Sequence, residues 1–132
     1  EELQQMLENT DGVGKVKVLV KTNDTKEVTG VLVVCEGGDD KNLVAYITDA
    51  NFISEASMKK LEGVEYMVIN ALRKEVHLSH FTLDQAIDVV KTLHVKQAYI
   101  THIGHQMGLH EEVSRELPEN IQLAHDMLSF EF

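Results

Sequence analysis

The 132-residue sequence is poor in several residue types and patterns, and each shortage narrows what the chain can be. The single cysteine, Cys35, cannot form an internal disulfide, and its place in an apolar run predicts a buried core thiol rather than a nucleophile. No apolar run approaches the roughly 18 residues of a membrane span, and no signal-peptide pattern opens the sequence. We therefore expect a cytoplasmic protein without a membrane span.

Positive charge is also scarce, because 12 Lys and Arg face 22 Asp and Glu and the formal net charge is −10. Such a chain repels phosphates, which argues against non-specific nucleic-acid binding. An anionic substrate would need a local positive charge, and a bound metal ion is the obvious source. Gly-rich phosphate loops, Walker spacing and a Ser-His-Asp elbow are missing as well.

Alternating strand and helix patterns indicate the fold class. Residues 1–9 predict a short helix, with Leu3, Met6 and Leu7 on one face. Polar residues at Ser54 and Thr82 predict helix N-caps, and the only proline, Pro118, ends a helix. The predicted strands cover residues 15–21, 30–36, 43–48, 64–71, 98–101, 121–124 and 127–132, and the other helices cover 54–61, 83–93 and 111–117. We expect an α/β protein with one mixed β-sheet and flanking helices.

Histidine is abundant, with seven residues, but none lies in residues 1–43. Asp49 and His102 each end a predicted strand, and His80 precedes the N-terminus of a predicted helix. Because ligands gather outside the carboxyl ends of strands in open α/β sheets, Asp49 and His102 could point into one crevice and bind metal, with His80 as proton donor. Simpler interpretations stay open: Asp49 as a turn residue, His80 as a helix cap, and His102 and His105 as ordinary polar residues. The remaining histidines are predicted to lie at the surface: His77, His94, His110 and His125.

Six stretches between Val44 and Phe132 resemble the C-terminal half of the metallo-β-lactamase superfamily, in its phosphodiesterase-type branch. They occur in the order of that family: residues 45–49 (AYITD), 68–73 (VINALR), 77–86 (HLSHFTLDQA), 99–107 (YITHIGHQM), and 117–120 with 123–126 (LPEN and LAHD). The resemblance implies that Asp49 bridges two metal ions, Zn or Mn, and that His102 is a terminal ligand. It also implies that His80 is the general acid at a phosphodiester and that His105 lies in the shell behind the ligands.

The resemblance is incomplete, because the family's first half carries an HxHxDH motif and a further histidine ligand that this chain lacks. One carboxylate and one imidazole cannot hold a binuclear centre. At the closing turn, Asp126-Met127 also replaces the Asp-Gly that would suit a tight hairpin.

Residues 1–43 resemble a different family, the ring-building region of stage III sporulation protein AG. The matching text lies in residues 3–9 (LQQMLEN), 12–18 (GVGKVKV) and 30–40 (GVLVVCEGGDD). This resemblance implies an α-β-β segment at 1–43 that completes the sheet of a 44–132 half domain in one shared core. The junction near Asn42 suggests a chimera, natural or constructed.

Two functions of different class follow from these resemblances. The first is a metal-dependent hydrolase with a small-molecule phosphodiester substrate. Its metal site in this chain is incomplete, so it needs ligands from another chain or a different mononuclear site that uses His105 or His77. The alternative is a non-catalytic module that assembles into a ring or another homo-oligomer, or a remnant without activity. Metal content and the separation of Asp49 from His102 discriminate between them, because side chains more than about 7 Å apart cannot share a metal ion at first-shell distances of about 2.0–2.2 Å.

Overall fold

A computed structural model describes residues 2–9, 15–22, 28–36 and 42–131, with side-chain environments from Val44 onward. Its strands form a seven-stranded sheet whose spatial order follows the chain order. The strands are β1 (Glu2–Asn9), β2 (Lys15–Thr22), β3 (Val28–Glu36), β4 (Asn42–Thr48), β5 (Tyr66–Asn70), β6 (Gln97–Thr101) and β7 (Ile121–Leu123). The helices are α1 (Glu55–Lys60), α2 (Leu83–Thr92) and α3 (His110–Glu116), and a short 3-10 helix covers His105–Met107.

The sheet changes character at β4. Strands β1 to β4 pair antiparallel, whereas β4 to β7 pair parallel. Parallel neighbours need a crossover connection, and α1, α2 and α3 occupy the three crossovers. The carboxyl ends of β4, β5 and β6 therefore meet at one edge of the sheet, where the loops that follow them lie side by side.

The helices of the first two crossovers begin with the caps that the sequence predicts. The Ser54 hydroxyl accepts a hydrogen bond from the Ser57 backbone N–H at 3.2 Å. Thr82 and Gln85 form a reciprocal capping box, in which each side chain accepts a hydrogen bond from the backbone N–H of the other residue. These caps fix the points where the chain leaves the loops at the carboxyl ends of the strands and enters α1 and α2.

One apolar core joins the inner face of the sheet to the helices. Alternate residues of β4 to β6 point inward, and α2 buries its Leu83, Ala86 and Val90 stripe against them. The largest fully buried apolar side chains among the described residues are Leu61, Met67, Ile69, Ile100, Met107, Val90 and Val113. The confirmed fold class is thus α/β with one mixed sheet and flanking helices.

Aromatic side chains occupy the opposite face of the same strands. The Phe130 ring stacks on Tyr99 at a centroid distance of 4.6 Å and on Tyr66 at 5.7 Å. Tyr46 extends the row beyond Val68, because β4, β5 and β6 place Tyr46, Val68 and Tyr99 at the same register. The segment after β7 therefore covers part of this face.

The structure corrects two secondary-structure predictions. Residues Glu2–Asn9 form β1, paired antiparallel with β2, so the N-terminal segment is β-β-β and not α-β-β. A segment this short fits either period, and pairing with a distant strand decides its conformation. The predicted strand at 127–132 is also wrong for residues 127–131, since Met127 has φ 65° and the chain turns there.

Some expectations lie outside the described residues or remain predictions. The turn at residues 37–41 and the burial of Cys35 belong to the first group. In the part of the chain that the structure describes, every helix is too short or too polar to cross a membrane. The cytoplasmic location and the domain boundary at residue 43 stay predictions, although β3 and β4 pair across that boundary within one sheet.

Candidate metal centre

Two strands deliver ionisable side chains to the same edge of the sheet. Asp49 follows the last residue of β4 and His102 follows the last residue of β6. Both have left-handed backbone conformations, with φ 54° at Asp49 and φ 56° at His102. Positive φ is uncommon outside glycine, although Asp and His adopt it more readily than most residues. The shared conformation turns the chain out of each strand at the point where the side chain is needed.

His80 comes from the loop between β5 and α2, and backbone hydrogen bonds on its C-terminal side fix its position. The Phe81 N–H donates to the Ala50 carbonyl at 2.8 Å, and the Leu72 N–H donates to the Phe81 carbonyl at 3.0 Å. The residue after His80 is thus held between the loop that follows Asp49 and the loop that follows β5.

The three side chains meet in one cluster. His80 Nε2 lies 3.2 Å from Asp49 Oδ1, and His102 Nε2 lies 3.5 Å from the same oxygen. One ligand atom from each residue lies within 4.8 Å of the other two. The His80 and His102 rings stack at a centroid distance of 4.7 Å with 15° between their planes. Asp49 and His102 are open to solvent, with side-chain exposures of 54% and 40%, whereas His80 is 17% exposed.

The second ring nitrogen of His80 has its own partners. His80 Nδ1 lies 2.8 Å from Ser79 Oγ and 3.2 Å from His77 Nδ1. The Ser79 backbone N–H donates to His77 Nδ1 at 3.3 Å, so His77 Nδ1 is an acceptor. The proton between the two imidazoles therefore belongs on His80 Nδ1, an assignment made from the hydrogen bonds. Nε2 is left to face Asp49, as a lone pair or as a second N–H.

The charge state of Asp49 suits a ligand. Burial raises the pKa of Asp49, but hydrogen bonds from His80 and Thr48 and the charges of His102 and His80 outweigh that effect. The net pKa lies below the ordinary value of 3.8. The carboxylate is therefore ionised at neutral pH, as metal binding requires.

The donor set fits one divalent ion. Two atoms bonded to the same ion at about 2.0–2.2 Å are at most about 4.4 Å apart, and both histidine distances to Asp49 Oδ1 meet that limit. The carboxylate of Asp49 and the imidazole of His102 are donor types that catalytic zinc sites use, and His80 would supply a third donor only with no proton on its Nε2. The same three residues do not fit two ions, because they supply too few donors for two coordination shells, and residues 1–43 contain no histidine.

The structure thus brings together three of the side chains that the sequence singles out, Asp49, His80 and His102, and leaves His105 apart. His105 is exposed at the start of the 3-10 helix and is not part of the cluster, so its place behind the ligands stays a prediction. Sequence reasoning missed the partners of the site. His77, expected at the surface, is half-buried against His80. The sequence His77-Leu-Ser-His80 could have indicated this contact, because two histidines separated by a two-residue turn can bring their rings together.

This fold and cluster define the class of protein, and the comparison with known families agrees. Residues 9–103 match the family described as β-lactamase superfamily domain. The chain belongs to this superfamily and has the metallo-β-lactamase fold. The match begins at residue 9 and runs through the junction predicted near Asn42, so most of the N-terminal segment falls within it. The sporulation resemblance and the chimeric origin stay predictions.

Individual relatives are consistent with this assignment. The chain is 32% identical to a diphosphatase from the PhnP family, with a TM-score of 0.78 over 100% of this chain and 47% of that one. Zn²⁺-bound PqqB from Methylobacterium extorquens shares the fold, with 17% identity, a TM-score of 0.64, and coverage of 100% of this chain and 52% of PqqB. An octanoyltransferase from Porphyromonas gingivalis (strain ATCC BAA-308 / W83) is 31% identical over 86 residues, which are 64% of this chain and 18% of that protein. The chain thus spans about half or less of each relative.

Proposed function

We propose that this chain carries part of the active site of a metal-dependent hydrolase that cleaves small-molecule phosphodiesters. The observation that carries the proposal is the convergence of Asp49, His80 and His102 within 4.8 Å at the carboxyl edge of parallel strands. The resemblance to a PhnP-family diphosphatase supports a phosphoryl substrate, because that protein is 32% identical over the whole of this chain.

Asp49 and His102 are the proposed metal ligands. Both are exposed, so a substrate can reach an ion held between them. A bound divalent ion would polarise the phosphoryl oxygen and supply a hydroxide nucleophile at neutral pH. It would also supply the positive charge that a chain of net charge −10 lacks for an anionic substrate. Zn or Mn is the proposed metal, since both accept imidazole and carboxylate ligands.

His80 is the proposed proton donor to the leaving oxygen. Its Nδ1–H is engaged by Ser79 and His77, so a second proton on Nε2 is the one free to move. Asp49 Oδ1 lies 3.2 Å from Nε2, within hydrogen-bond distance of that proton. When substrate enters, the Nε2 proton passes to the departing alkoxide and the neutral ring keeps its Nδ1 contacts.

Direct measurement of metal binding tests the proposal. The chain is stripped with chelator and titrated calorimetrically with Zn²⁺ and Mn²⁺, and the loaded protein is assayed with bis(p-nitrophenyl) phosphate. We expect one ion per chain and hydrolysis that depends on it. Failure of both ions to bind the folded chain would overturn the proposal. Binding without hydrolysis would show that this chain alone is inactive, although it holds a metal site.

A specific observation also keeps the assembly hypothesis in view. β1 is the first strand in the sheet order, so one side of it has no partner strand among the described residues. An edge strand presents backbone donors and acceptors to another chain. Sedimentation equilibrium over a wide concentration range tests this hypothesis, and a strict monomer at high concentration would contradict it.

A further inference from the structure

Asn70 is a fully buried polar residue at the sheet edge that carries the Asp49, His80 and His102 cluster. It is the last residue of β5, the strand between the two that carry Asp49 and His102, and its exposure is 0%. An amide side chain in an apolar interior is costly unless its donors and acceptor are paired. The hydrogen-bond partners of Asn70 therefore indicate which part of the chain it stabilises.

The Asn70 carboxamide makes a two-point contact with a single residue, Ala50. Asn70 Oδ1 accepts from the Ala50 N–H at 3.0 Å, and Asn70 Nδ2 donates to the Ala50 carbonyl at 2.8 Å. The orientation of the amide is fixed, because a backbone N–H only donates and a carbonyl only accepts. The side chain imitates a peptide group in a strand ladder. It continues the pairing of β5 with the β4 chain beyond Asp49, where the backbone leaves the strand with φ 54°.

The same carbonyl connects this contact to the second loop of the site. The Ala50 oxygen also accepts from the Phe81 N–H at 2.8 Å, so both of its lone pairs are used. Ala50 follows Asp49 and Phe81 follows His80. One buried amide therefore holds the backbone next to Asp49, and through a shared acceptor it holds the backbone next to His80.

We propose that Asn70 is a positioning residue that sets the distance between Asp49 and His80 by clamping the Ala50 peptide. The inference rests on the proposed function for its effect on metal binding, although the clamp itself can be tested without metal. Asn70 touches neither the substrate nor the ion and acts through the backbone of Ala50 and Phe81.

Zn²⁺ affinity is the first test, with a matched control. Asn70→Ala removes the clamp, whereas Ser57→Ala removes another buried polar side chain that lies in α1, away from the site. Both variants are first shown to be folded by circular dichroism and then titrated calorimetrically. We expect Asn70→Ala to weaken Zn²⁺ binding by about 10- to 100-fold, as loss of a residue that orients metal ligands does, and Ser57→Ala to change it by less than about 3-fold. Equal affinities for wild type and Asn70→Ala, or equal losses in the two variants, would overturn the proposal.

Amide hydrogen exchange gives a second test that needs no metal. Its first measurement uses the wild-type protein alone. We expect the Ala50 amide to be protected like the β5 amide of Ile69, and its exchange to become at least about 10-fold faster in Asn70→Ala while Ile69 is unchanged. Fast exchange of Ala50 in the wild type would refute the clamp even if Asn70→Ala does not fold. If the wild type binds no ion, the proposed function fails while the exchange experiment still decides the clamp.

Discussion

Asp49 and His102 bring their side chains to 3.5 Å although they end strands that are not neighbours. β5 lies between β4 and β6, and two strand spacings amount to about 10 Å. The gap closes because both residues leave their strands with almost the same positive φ, 54° and 56°, and their side chains reach over the end of β5. A left-handed conformation at a residue other than glycine costs of order ~1–3 kcal/mol, and such residues cluster at functional sites.

His102→Asn should abolish or strongly weaken metal binding while leaving the backbone in place. Asparagine tolerates the positive φ at this position but lacks the imidazole nitrogen. We expect the Kd for Zn²⁺ to rise about 100-fold or more, measured by isothermal titration calorimetry. His94→Asn is the matched control, because His94 has φ 52° and lies in the turn before β6, at the other edge of the sheet. Equal effects of the two substitutions would exclude His102 as a ligand.

His80→Gln separates a proton donor from a metal ligand. Loss of a general acid should lower kcat by about 10²–10⁴-fold, while the Zn²⁺ affinity stays within about 3-fold of the wild type. Steady-state hydrolysis of a phosphodiester with an alkyl leaving group, which must be protonated to depart, and calorimetry on the same preparation give both values. His94→Gln serves as the control for loss of an exposed imidazole. A large drop in affinity with His80→Gln would show instead that His80 is the third ligand, the role that its place in the cluster also allows.

The pH dependence of stability should report the ionised state of Asp49. The folded protein lowers the pKa of Asp49 below its ordinary value of 3.8, so folding favours the carboxylate. Its contribution is fully present above the unfolded pKa and is lost as the pH falls through the folded pKa. We expect the difference in unfolding free energy between wild type and Asp49→Asn to shrink as the pH falls below 3.8, measured by urea denaturation. A difference that does not change down to pH 2.5 would contradict this prediction.

Met127→Gly should stabilise the chain. Met127 has φ 65° and is almost fully exposed, so it adopts a conformation that glycine reaches without steric cost and loses little packing on substitution. We expect a gain of about 0.5–1 kcal/mol in the free energy of unfolding, after the greater chain entropy of glycine is subtracted. Leu78→Gly, at an exposed residue whose φ is not positive, should lower stability instead. Destabilisation by Met127→Gly would show that this side chain makes a contact worth more than the strain.

The sequence correctly predicts those parts of the fold that are determined by residues close together in the chain. Ser54 and Thr82 cap helices because their hydroxyls reach a nearby backbone N–H, and the apolar runs of β3 to β6 have the length of buried strands. Residues 1–9 are predicted wrongly because their conformation depends on pairing with β2 and not on their own periodicity. At Met127 the error has a similar origin, since one left-handed residue stops a strand that the apolar pattern favours.

The residues of the site also divide into those that the sequence identifies and those that it does not. Asp49, His80 and His102 are recognisable because they are ionisable residues at predicted strand ends or a helix start, and the topology brings such positions together. Asn70 escapes notice because nothing in a single sequence distinguishes an amide that clamps a distant peptide from one that ends a strand. His77 escapes for a related reason, since its contact with His80 depends on the turn at Ser79.

The row of tyrosines opposite the helices determines what optical measurements can detect. The chain has no tryptophan and three tyrosines, Tyr46, Tyr66 and Tyr99, and all three lie on one face of β4 to β6. Ultraviolet fluorescence therefore originates almost entirely from the face that Phe130 partly covers, on strands whose loops carry the Asp49, His80 and His102 cluster. An emission change will report loosening of the segment after β7, whereas occupation of the site requires a probe of its own, such as the imidazole resonances of His80 and His102.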